Sequence, residues 1–215
     1  MRNLLLIFAL FVMLICCTTE ADRNRMRVGL DSINVLNRTE QPFTVQDVEP
    51  YVDFFDRHGN SNDQMLAHYL LGRAYHEHGE APMALQCYQD AAERADTTAA
   101  DCDYKQLSRV YGQMADIFYQ QGLYRQEMIY NRLAEKYAWQ GKDTLAALMY
   151  YEQTSLAFER LNQVDSAVIV AEDVAHRYEL YGFPSDAAIA LGVIIENLIG
   201  RGEYEKAKRY LAQYE

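Results

Sequence analysis

Between Pro82 and Pro184 the chain contains no proline. Proline locks φ and lacks an amide donor, so it is the strongest single interruption of a helix, and a run of this length without it permits consecutive helices and little else. Composition points the same way: among 215 residues Ala occurs 25 times and Tyr 17 times, with a single Trp. Half of the residues are hydrophobic and 24% are charged. That is enough for one domain, or an array of small units, with a sizeable core, and it excludes disordered, collagenous and disulfide-scaffold classes. The formal net charge is -11. Such an acidic surface repels phosphate backbones, so nucleic acid is not an expected partner.

The N-terminus is read apart from the fold. Met1-Arg2 precede an unbroken apolar run from Leu4 to Ile15, followed by Cys16-Cys17. The run is short for a hydrocarbon layer of ~30 Å and matches the apolar region of a secretory signal. Leu14-Ile15-Cys16-Cys17 resembles the bacterial lipobox, with Leu three before the modified Cys and a small residue directly before it. The resemblance implies removal of residues 1–16 and a diacylglycerol on the Cys17 sulfur, making a membrane the partner of the N-terminal lipid. Each buried methylene contributes about 0.8 kcal/mol, so several acyl chains hold a domain at a bilayer without a spanning helix. Thr18 stands where some bacteria place the Asp of inner-membrane retention, which points to the outer membrane of the cell envelope. In the mature chain Cys87 falls within one expected helix and Cys102 opens the next, too far apart for the ~7 Å reach of a disulfide, so both are expected as free thiols.

A second pattern organises the rest. Leu71, Gly72, Tyr75, Gly79, Ala84, Tyr88 and Ala91 fall at slots 7, 8, 11, 15, 20, 24 and 27 of a 34-residue frame. This resembles the tetratricopeptide repeat (TPR), in which small residues let two antiparallel helices approach and large ones fill the gaps between them. The pattern recurs more loosely around Gly122, Asn162 and Gly202, with Glu127 and Asn131 breaking slots 20 and 24 of the second unit. The anchors are 43, 40 and 40 residues apart. The resemblance implies an all-α fold, an α-solenoid of antiparallel helical hairpins in extended repeats of about 40 residues. The units run 61–100, 101–141, 142–182 and 183–215, behind a helical cap at 17–60. Helices are predicted near 22–37, 44–57, 62–79, 82–96, 102–121, 123–140, 143–161, 164–181, 184–201 and 203–215. Asp143 and Asp165 are expected as N-caps, and Pro82 and Pro184 as first-turn prolines. The last of these helices is amphipathic with no solvating helix after it, which suggests a longer parent chain or a covered end.

No catalytic motif emerges, so neither an enzyme nor a cofactor is expected. His76-Glu77-His78 has the wrong spacing for a metal site and reads as a solvated helix end, and His58 and His68 are isolated. Asp31-Ser32, Asp96-Thr97, Asp143-Thr144 and Asp165-Ser166 resemble acceptor sites of a bacterial O-glycosylation system, though helix capping accounts for two of them. In the TPR family the first helix of each hairpin lines the binding surface. Its slots select Tyr69, Arg73, His76 and Glu77, then Asp116, Tyr119 and Gln120, then Glu159 and Arg160, and Glu196 as a protein-binding groove. Slot 9 holds Arg73, Asp116, Leu156 and Glu196, so the Lys/Asn clamp with which chaperone-binding members hold a C-terminal carboxylate is missing. The mixture suits a protein or peptide partner with apolar anchors and some positive charge. The expected function is an envelope-anchored, TPR-like lipoprotein scaffold. The alternative is the N-terminal sensory or assembly segment of a larger envelope signalling protein.

Overall fold

The computed structural model describes the backbone of residues 2–214 and the side chains of residues 20–212. The Cys17 side chain, and with it the expected lipidation site, lies outside the described residues. The helices are α1 (Arg2–Arg38), α2 (Val45–His58), α3 (Ser61–Glu77), α4 (Ala81–Arg94), α5 (Tyr104–Gln120), α6 (Tyr124–Gln140), α7 (Thr144–Arg160), α8 (Val164–Leu180), α9 (Pro184–Gly200) and α10 (Tyr204–Tyr214). Among the described residues there is no strand, and no helix is long and apolar enough to cross a membrane. The fold class is all-α, and α2 to α10 lie within two residues of their expected spans. Only α1 departs, starting at Arg2 instead of 22, because no Gly or Pro interrupts residues 4–22.

Two compact units make up the chain, Met1–Cys102 and Asp103–Glu215. In the first, α1 packs on α2 and α3, α2 on α3, and α3 on α4. In the second, each helix from α5 to α10 packs on the next in sequence, the stacking of antiparallel hairpins that defines an α-solenoid.

The turns show why the repeat is long. Helices α5 to α9 each have 17 residues, and a left-handed residue follows each of them at intervals of 20: Gly122, Lys142, Asn162, Gly182 and Gly202. Each turn closes the same way, the amide after the left-handed residue donating to a carbonyl five residues back, as from Leu123 to Phe118 and from Glu203 to Leu198, both at 2.8 Å. Gly79 ends α3 likewise, with Glu80 donating to Tyr75 at 3.0 Å.

Within each hairpin the small-residue slots meet large ones. A Cβ on Gly72 would stand 2.5 Å from the Tyr88 ring and 3.2 Å from the Ala84 carbonyl, so slot 8 faces slots 20 and 24. The third hairpin uses the same approach differently: Ser155 in slot 8 donates to the Ala167 carbonyl in slot 20 at 2.7 Å. Asp143 caps α7, accepting from the Ala146 amide at 3.3 Å. Asp165, in contrast, is not a cap; Gln163 holds that position, and Asp165 sits in the first turn of α8 beside Arg201 at 3.1 Å. Cys87 and Cys102 are thiols and not a disulfide, and burial pushes the Cys87 thiol up to about 12.

Candidate interaction surfaces

In the first unit, the C-terminal half of α3 faces the loop between α1 and α2 across a cleft of about 530 Å³, lined by Asn37, Glu40, Pro42, Phe43, Arg73 and His78 among others. Arg73 is held in place: its Nε donates to Asn37 Oδ1 at 3.0 Å and Nη2 to Glu77 Oε1 at 2.6 Å. Glu77 is exposed and Arg73 half-buried beside it. Tyr69 does not take the exposed position expected of it. It is 4% exposed, with its ring 6.0 Å from that of Tyr88, and it serves inter-helix packing because α4 covers that side of α3. His76 is half-buried, edge-on to Tyr88 at 6.4 Å. His78 Nδ1 lies 2.7 Å from the Ala74 carbonyl oxygen at the helix end. His68, isolated in the sequence, is buried with Nε2 3.0 Å from Asp56 Oδ1. Arg94 Nε donates to that same oxygen at 2.9 Å, so Asp56 ties α2 to both α3 and α4.

In the second unit the expected positions fall on α5, α7 and α9, the first helices of their hairpins. The Arg160 guanidinium lies 4.3 Å over the ring of Tyr119, which is 43% exposed, bringing the end of α7 onto α5. Gly112 of α5 makes room for Tyr150 of α7, whose hydroxyl would be 2.5 Å from a Cβ there. Arg160 Nη1 also donates to Glu127 Oε1 at 2.9 Å, and Glu127 is only 2% exposed. Burial raises the Glu127 carboxyl, and the charge of Arg160 partly offsets the rise. The pattern-breaking Glu of slot 20 is thus the inner half of an ion pair whose outer half reaches the candidate surface. Gln120 donates to Asp116 at 2.9 Å, Glu159 is half-buried and Glu196 exposed. Met149, Ile189 and Ile199 are exposed on α7 and α9, and a Cβ on Gly192 would meet open space.

Ile189 was absent from the sequence-derived set, although it occupies slot 2 of the fourth unit and that register could have found it. The aromatic ladder between α5 and α6 was missed too. Tyr104, Tyr137, Tyr111, Tyr130 and Phe118 stack alternately from the two helices, with centroids 5.0–6.4 Å apart and rings within 27° of parallel. Its signal is the sevenfold spacing of 104, 111 and 118 and of 130 and 137. Among the described residues, no three His, Cys, Asp or Glu side chains gather as metal ligands.

No protein-family model matches the sequence, and no curated protein is similar to it. Solved structures are similar in fold. The nearly identical TPR-like repeats of a kinesin-light-chain-like protein from Podosopora anserina superpose with a TM-score of 0.64 at 15% identity, over 88% of this chain and 92% of that one. Aspartyl phosphate phosphatase F from Bacillus subtilis gives a TM-score of 0.64 at 13% identity, over 88% of this chain and 48% of that one. MamA gives 0.55 at 14% identity, over 78% and 84%. At these identities the likeness is one of fold: the chain has the architecture of TPR-like repeat proteins.

Proposed function

We propose that the chain is a lipid-anchored envelope protein whose α5–α7–α9 surface holds a protein or peptide partner. The carrying observation is that surface itself, where Tyr119, Met149, Ile189 and Ile199 stay exposed on three successive hairpins, interspersed with Asp116, Glu196 and the ring-stacked Arg160. Apolar side chains exposed in a row at repeat spacing, separated by charges, fit an extended or helical segment carrying apolar anchors and some positive charge. Anchoring rests on the Leu4–Ile15 run and on Cys17, and Thr18 favours the outer membrane. A lipid at Cys17 would bring the partner's binding site to a bilayer, a scaffold's task.

Two measurements test the two parts separately. Cys17→Ala should move the protein from the membrane pellet to the soluble fraction, and a variant that still pellets refutes the lipid anchor. Crosslinking and pull-down from envelopes should lose the partner with Tyr119→Ala/Ile199→Asp and retain it with Arg73→Glu, which alters only the first unit. Equal recovery from wild type and the Tyr119→Ala/Ile199→Asp variant refutes the surface.

A further inference from the structure

The second helices of the middle hairpins, α6 and α8, carry a feature independent of the proposed binding surface. On α6 the exposed stripe runs Arg125, Ile129, Arg132, with Ile129 59% exposed. Forty residues on, the same slots of α8 hold Asp165, Ile169 and Glu172, with Ile169 66% exposed. The apolar centre is kept and both flanking charges are inverted. The corresponding slots of α10 hold Glu205, Arg209 and Ala212, so the motif belongs to this pair of helices. Beside Ile129 lies a hollow of about 330 Å³ floored by Met128, Phe158 and Leu161 and rimmed by Arg125 and Arg132. Neither arginine enters an ion pair among the described residues, although the charge of Arg132 reaches the half-buried Glu135. On the other stripe Asp165 pairs with Arg201 and Glu172 accepts from Tyr210, both at the exposed surface, where such contacts are weak and exchangeable.

We infer that a second copy of this chain docks here, α6 of each copy against α8 of the other around a two-fold axis. The two helices run in the same direction within a copy, so a two-fold axis parallel to them lays α8 of the second copy over α6 of the first, and α6 of the second over α8 of the first, with the paired helices running the same way. With Ile169 of the second copy seated in the hollow beside Ile129, Arg125 faces Asp165 one turn away and Arg132 faces Glu172 one turn the other way. The axis repeats all of these contacts, giving two apolar knobs and four complementary pairs. In a chain of net charge -11 most surfaces repel their own copies; a cationic stripe matched in register to an anionic one supplies the exception, and sets specificity as much as affinity.

The test is sedimentation equilibrium of the full chain in density-matched detergent. Wild type should show a monomer–dimer equilibrium that weakens with added salt. Ile169→Asp should raise the dissociation constant about tenfold or more, as expected for loss of a central apolar contact. Arg125→Glu/Arg132→Glu and Asp165→Arg/Glu172→Arg should each lose self-association while keeping wild-type circular dichroism, and an equimolar mixture of the two should recover a dimer containing one copy of each. That mixing arm separates lost complementarity from lost folding, because misfolded variants cannot rescue one another. A wild type monomeric throughout the concentration range, a dimer indifferent to the charge reversals, or reversed variants that stay apart when mixed would each overturn the inference. Partner capture on α5–α7–α9 is a separate readout and can fail without affecting it.

Discussion

Glu127 occupies a slot that the neighbouring hairpins fill with Ala84 and Ala167. Placing a carboxylate where a methyl group fits is costly, and the structure compensates by reaching Arg160 in from the next hairpin at 2.9 Å, while the second carboxyl oxygen stays buried without a hydrogen bond. Removing one member of such a pair leaves an uncompensated charge, whereas replacing both with apolar groups removes the desolvation cost as well. Arg160→Met should therefore cost about 3 kcal/mol in urea unfolding, and adding Glu127→Ala to it should recover most of that loss. Simple addition of the two single-variant losses would show that the ion pair does not couple them. The charge of Glu127 was legible in the sequence as a broken slot; its partner was not, because the frame places Arg160 in the binding groove and gives no depth to its guanidinium.

At the scale of elements, glycines in similar helical settings respond oppositely to one substitution. Gly72→Ala drives a Cβ toward the Tyr88 ring and the Ala84 carbonyl, both held by the hairpin, and should cost about 1–3 kcal/mol. Gly192→Ala adds a methyl group into open space within α9 and should gain about 0.5–1 kcal/mol from helix propensity alone. Thermal unfolding of the two variants reads the difference, and shifts of the same sign would contradict the packing account. The turns offer a further case. Lys142 adopts φ 55° where equivalent turns use Gly122, Gly182 and Gly202, so Lys142→Gly should stabilise by about 1 kcal/mol, measured the same way. Helix spans and Gly-marked turns were legible because apolar period and left-handed residues are local signals. The α5–α6 aromatic ladder and the burial of Tyr69 were not, since both depend on which face of one helix meets which face of another. The 40-residue spacing likewise reads as an enlarged TPR, whereas the turns resolve it into two helix-and-turn modules of equal length.

Across the whole molecule the two units differ in how they carry acid. In Met1–Cys102 the perturbed carboxylates are depressed. Asp47 is lowered by hydrogen bonds from the side chain and backbone of Thr44, and Asp96 by those from Thr98. At Asp56 burial pushes upward, but hydrogen bonds from Arg94 and His68 outweigh it. In Asp103–Glu215 burial instead raises Glu127, Glu135 and Glu152, while Glu203, bonded to Lys206, is lowered. A depressed carboxylate binds protons less readily folded than unfolded, so its contribution is present above its unfolded value, 3.8 for Asp, and is lost as pH falls through the folded one. A raised carboxylate does the reverse: its burial is least costly below the unfolded value, 4.5 for Glu, and most costly once pH exceeds the folded one. Acidification should therefore act on the units in sequence. From neutral pH down to 4.5, amide protection in α6, α7 and α8, which carry or neighbour the raised glutamates, should hold or increase. Below 3.8, α2, α3 and α4 should lose protection first, as the links from Asp56 to His68 and Arg94 weaken. Hydrogen exchange read by mass spectrometry and corrected for intrinsic rates resolves the units within the intact chain, and Asp56→Asn should flatten the acid response of the first unit alone. Uniform loss of protection in both units on acidification would mean that these carboxylates do not set the pH dependence of the fold.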